Sequence, residues 1–176
     1  MLRMLIVVLL AAFLAPPAAA FAQDRAADEP GADEPAADHP EATPYDPASD
    51  ANAAVDAALV RADERGTRVL LVMGANWCHD SRALAGWLES DRFAALLAES
   101  YEVVFVNVGM PQTGDGFNLG IARRFGIDDL PGTPNLLVIA PDGTLLNADT
   151  ATSWRNSASR TGNEIFAELA GLAAQK

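Results

Sequence analysis

The run RVLLVMG, residues 68–74, is apolar from Val69 to Met73 with no polar alternation. A strand with one wet face alternates, so an unbroken run implies a strand covered on both faces, as in an α/β unit. YEVVFVNVG (101–109) and NLLVIA (135–140) read the same way. Helical spacing fills the gaps between them. DANAAVDAALVRADERG opens at a candidate N-cap, Asp50, stops at Gly66, and sets Val55, Leu59 and Ala62 on one face. From Cys78 to Glu89, Leu84, Trp87 and Leu88 share a face. Ser90 or Asp91 then caps a short helix carrying Phe93, Leu96 and Leu97. MPQTGDGFNLG is read as a loop from its Gly and Pro content, and NLGIARRFG as a short helix ending at Gly126. Pro141-Asp142-Gly143 turns the third run into TLLN as a hairpin. Thr161 and Glu164 form a capping box before a final helix with Ile165, Phe166, Leu169 and Leu172. This order predicts a three-layer α/β/α sandwich with a mixed central sheet. The early strands are parallel through right-handed crossovers, and the last hairpin is antiparallel.

The N-terminus reads differently. Arg3 precedes the apolar run Leu5–Leu14, which is short for a bilayer span. Pro16 and Pro17 end that run, and Ala20-Phe21-Ala22 fits a cleavage site. Residues 1–22 are expected to be a secretory signal peptide, leaving an exported, secreted or periplasmic chain with no stable membrane span. Residues 23–50 hold nine acids and one arginine, a net charge of −8, and almost no large apolar side chain. They are expected to be a disordered acidic Ala/Pro-rich linker, with His39 a solvated histidine and at best a weak metal ligand. The folded domain is expected to span 51–176. Nothing basic gathers into a strip, which argues against nucleic acid as a partner.

The only cysteine lies in GANWCHDSRAL, residues 74–84, where the first apolar run meets a helix. Trp77-Cys78-x-x-Ser81 at that junction, with Gly132-Thr133-Pro134 just before a later apolar strand, resembles the thioredoxin superfamily. The chain looks most like exported bacterial thioredoxin-like proteins with a Cys-x-x-Ser motif. The resemblance covers residues 51–176 and implies that Pro134 is cis and faces Cys78. It also implies that the backbone of Thr133 pairs with a bound substrate. Two departures go together. Ser81 stands where the family has a resolving cysteine, and Val72 stands where it has a buried acid that helps move the resolving thiol's proton.

A helix N-terminus favours a thiolate, the form that attacks disulfides. Cys78 is therefore the expected nucleophile, on an accessible sulfur. The Ser81 hydroxyl is expected to donate to that sulfur, and His79 to assist when protonated, while Asp80 opposes it. Trp77, Thr133 and Pro134 are the expected docking wall and edge. With no second thiol in the chain, a mixed disulfide must be resolved from outside. The expected partners are client protein thiols or glutathione, and an external thiol reductant. No cofactor is expected. No metal site is expected either, because Cys78 and His79 lack a third soft ligand. No base–orienter pair supports hydrolase chemistry. The competing reading is a thioredoxin-fold binding or scaffold module whose Cys78 is inert.

Overall fold

The protein is described from a computed structural model covering residues 39–175. The expected signal peptide (1–22), residues 23–38 of the acidic tract, and Lys176 lie outside the described residues.

The elements run α1 (Ala51–Arg65), β1 (Arg68–Gly74), α2 (His79–Leu88), α3 (Asp91–Ser100), β2 (Tyr101–Asn107), β3 (Gly109–Met110), β4 (Asp115–Gly116), α4 (Leu119–Arg124), β5 (Asn135–Ile139) and α5 (Gly162–Ala173). The main sheet has the order β2-β1-β5. β1 is parallel to β2, with Val72 opposite Phe105, and antiparallel to β5, with Val72 opposite Leu136. The sheet is therefore mixed.

Period-two alternation explains why the strands carry no polar face. Val69, Leu71 and Met73 point into one core with Val55, Ala58 and Ala62 of α1 and Ile121 of α4. Leu70 and Val72 point into the other, with Leu84 of α2, Phe93 of α3, and Ile165 and Leu169 of α5. Each face of the sheet has its own helical cover, giving the three layers.

The caps follow the sequence. Asp50 Oδ1 accepts from the Ala53 N–H at 3.0 Å, and Gly66 closes α1 in the left-handed region at φ 66°. Thr161 and Glu164 make the reciprocal capping box of α5. Ser90 is the N-cap residue of α3, but its hydroxyl donates to the Trp87 carbonyl instead of capping.

Three further expectations need correction. First, residues 39–50 are not a free linker. Tyr45 is fully buried, its ring edge-on to Phe105 at 5.5 Å. Its backbone is clamped: the N–H donates to Asn76 Oδ1 (3.1 Å), while its carbonyl accepts from Asn76 Nδ2 (3.1 Å) and Asn107 Nδ2 (3.0 Å). The folded unit thus begins before Asp50. Second, MPQTGDGFNLG is not simply a loop, because β3 pairs with β4 around a 3₁₀ turn at Pro111–Thr113. Third, TLLN forms only one β-bridge, Leu145 with Ile139. The reason is Asn147. Its side-chain amide accepts from the Val138 N–H (2.8 Å) and donates to the Leu136 carbonyl (2.9 Å), taking the place of an edge strand's backbone.

Candidate functional site

β1 ends at Gly74, and the chain turns through Ala75, Asn76 and Trp77 into α2. The Cys78 N–H donates to the Ala75 carbonyl at 3.1 Å, tightening that turn. Cys78 is the N-cap residue of α2 with extended backbone (φ −85°, ψ 123°). The Arg82 guanidinium gathers the Asn76 and Trp77 carbonyls at 3.2 and 3.3 Å. The nucleophile candidate is thus held by backbone geometry at the positive end of a helix.

Across from it stands the Thr133–Pro134 peptide bond, which is cis. The Cys78 thiol donates to the Thr133 carbonyl at 3.4 Å. Cys78, Thr133 and Pro134 therefore meet as the resemblance implies. The expected uncovered sulfur does not appear, because Cys78 retains only 8% exposure. Its thiol is packed against the loop leading into β5.

The remaining expected residues separate. Ser81 is fully buried and its hydroxyl has no hydrogen-bond partner, so the expected bond to sulfur is not made. His79 turns outward, and its Nε2 lies 3.1 Å from Glu41 Oε1. Asp80 accepts from the Ala158 N–H at 2.9 Å, tying α2 to the turn before α5. Trp77 is half exposed, and its indole N–H donates to the Gly109 carbonyl at 3.1 Å. With Met110 and Phe117, both exposed, it borders a groove of about 360 Å³ floored by Tyr45, Asn76 and Asn107. Val72 is fully buried in the apolar cluster, leaving no carboxylate at that position. Trp154 is core, buried beneath the Arg160 guanidinium, which stands 4.2 Å from its ring centre.

Tyr45, Asn76 and Arg82 shape the site but carried no functional reading in the sequence. The Tyr45 hydroxyl donates to the Ser81 carbonyl at 3.2 Å. Burial, and then the neighbouring Cys78, push its pKa upward, so it remains a neutral donor. One signal for it existed: Tyr45 is the only aromatic residue in the 23–50 tract, and it sits between Pro44 and Pro47.

The thioredoxin-like family profile matches residues 50–141 of the chain. The chain belongs to the thioredoxin-like family. Among solved structures, the thioredoxin-like fold is shared with a disulphide isomerase from Xylella fastidiosa Temecula1. The two chains are 32% identical, with a TM-score of 0.65, over 74% of this chain and 97% of that one. Comparison with curated proteins finds no match. Among the described residues, no helix is long and apolar enough to cross a membrane.

Proposed function

We propose that this is an exported thioredoxin-like protein performing monothiol disulfide exchange, with Cys78 as the nucleophile. The observation that carries the reading is the placement of Cys78 Sγ at the N-cap of α2, 3.4 Å from the carbonyl before cis-Pro134. The Xylella disulphide isomerase supports the same class of chemistry.

Cys78 loses its proton to solvent, and the thiolate attacks one sulfur of a client disulfide or of glutathione disulfide. The new S–S bond joins Cys78 to that half, and the other half leaves as a thiolate. No net oxidation occurs. The chain has one cysteine, so a second thiolate from glutathione, a reductant protein or the client itself must release the adduct. Trp77 and the Thr133–Pro134 edge border the incoming chain. The Thr133 carbonyl, which accepts from the resting thiol, is freed when the proton leaves.

The test is mass spectrometry of the folded full chain after incubation with glutathione disulfide, alongside Cys78→Ala. One adduct per chain on Cys78, reversed by free glutathione, is expected. An adduct that forms only after denaturation would sink the exchange reading. The near-complete burial of Cys78 favours a second reading, a binding module using the apolar border of Trp77, Met110 and Phe117. Client capture that persists in Cys78→Ala would establish that alternative.

A further inference from the structure

Three side chains outside the thiol chemistry converge at the start of α2. His39 and Glu41 arrive from the segment before α1, and His79 is the first residue of α2. Their donor atoms all lie within 4.8 Å of one another, and Cys78 is not among them. The His39 and His79 rings are tilted together with centroids 4.9 Å apart. His39 is thus not the solvated histidine expected from the acidic tract. Its Nδ1 is sealed from solvent and has no hydrogen-bond partner among the described residues.

We propose that His39, Glu41 and His79 bind a late first-row divalent transition ion of the Zn²⁺ class, which clasps the segment before α1 onto the N-terminus of α2. Two imidazoles and a carboxylate suit such ions, whereas Ca²⁺ and Mg²⁺ take oxygen donors. Tetrahedral bonds of about 2.0–2.2 Å place donors about 3.4 Å apart. The His79 Nε2–Glu41 Oε1 pair, at 3.1 Å, is already near that spacing, and the exposed His79 side chain has room to close on His39. Glu41 is also anchored from behind. Its Oε2 accepts from Arg82 Nε at 2.9 Å, leaving Oε1 for the ion, an arrangement that orients a ligating carboxylate. That hydrogen bond is the main cause holding the Glu41 carboxyl below its ordinary range. The Arg82 charge opposes a cation, which weakens the site relative to the same ligands without it. A three-ligand set leaves a coordination position for water.

The site stands apart from the exchange reading and can fail without it. Isothermal titration of ZnCl₂ into the full chain is expected to show one ion per chain, with no saturable heat from CaCl₂. His39→Ala and Glu41→Gln should each weaken binding on the order of tenfold or more, while Cys78→Ala binds like the natural chain. Thermal melts establish that each variant is folded. Hydrogen exchange supplies a second readout: Zn²⁺ should slow exchange around residue 42 in the natural chain and not in His39→Ala. Absence of saturable Zn²⁺ binding overturns the proposal. So does undiminished binding in His39→Ala, which would assign the ion to the acidic tract. Loss of binding in Cys78→Ala overturns it as well, by assigning the ion to the thiolate.

Discussion

Gly86, in the last turn of α2, tests how residues 39–42 are held. Glycine inside a helix is disfavoured by about 1 kcal/mol relative to alanine, so Gly86→Ala would ordinarily stabilise α2. Here the new Cβ would stand 2.2 Å from the Pro40 carbonyl oxygen, 2.3 Å from its carbon and 2.6 Å from the Glu41 nitrogen. Carbon–carbon contacts settle near 3.5 Å, so the Pro40 carbonyl carbon must retreat by about 1.2 Å. α2 is poorly placed to yield, because Ala83, Leu84, Ala85 and Leu88 are buried around that glycine. The segment moves instead. It loses the Ala42 N–H to Arg82 carbonyl bond of 3.1 Å, worth about 1 kcal/mol. The Glu41–Arg82 ion pair and the Glu41–His79 contact are solvent-screened and add little. Gain and loss nearly cancel, so the urea midpoint should barely move. The Ala42 amide, however, should exchange about fivefold faster or more, the factor matching 1 kcal/mol. Zn²⁺ affinity should fall although all three ligands remain in the sequence. Unchanged Ala42 exchange would refute the close approach. A loss of about 3 kcal/mol or more, the scale of core disruption, would show that α2 yields instead.

Two further outcomes concern single groups. Ser81→Ala removes a buried hydroxyl with no partner, so urea unfolding should show equal stability or a gain of about 1 kcal/mol; a clear loss would mean the hydroxyl is engaged. Thr161→Ala removes the α5 cap and should cost about 1 kcal/mol. The Thr161 N–H and hydroxyl hold the Glu164 carboxyl below its ordinary value of 4.5. That stabilisation is therefore full above about 4.5 and lost as pH falls through the folded value. Urea midpoints followed into that acid range should decline more shallowly in Thr161→Ala; equal slopes would remove the Thr161 hydroxyl from the account and leave its N–H.

Features governed by local chemistry were legible in the sequence. The unbroken strands, the Asp50 and Gly66 caps and the Thr161–Glu164 box depend on neighbours within a few residues. The meeting of Cys78 with Thr133–Pro134 was readable only through a family pattern, because nothing local joins them. What stayed hidden depends on distant complementarity. The acidic, core-poor composition of 23–50 masks one tyrosine whose partners, Asn76, Asn107 and Phe105, belong to other elements. Gly86 has the same character, since only the folded chain reveals the Pro40 backbone against it. Trp154 stands among polar neighbours in ATSWRNSASR, yet the turn before α5 folds it into the core. The outward turn of His79 was equally unreadable, being set by Glu41.

Ser81 and Val72, at the positions where the resemblance implies a second thiol and an acid, fit together in the packing. Val72 lies in the apolar cluster with Leu136 and Leu84, where a carboxylate would be desolvated without a partner. Ser81 is fully enclosed, and the Tyr45 hydroxyl bonds to its carbonyl. Gly74 shows how full this corner is: a Cβ there would stand 2.7 Å from the Tyr45 ring and 2.8 Å from the Ser81 hydroxyl. A water-mediated proton path to residue 81 therefore has little room, and none is needed with a hydroxyl in place of a thiol. The segment that brings Tyr45 into this corner also carries Glu41 to Arg82, whose guanidinium holds the two carbonyls just before Cys78. Docking of residues 39–45 and the shape of the thiol-bearing turn thus share Asn76 and Arg82. Whatever fastens or frees that segment acts on the turn that presents the sulfur.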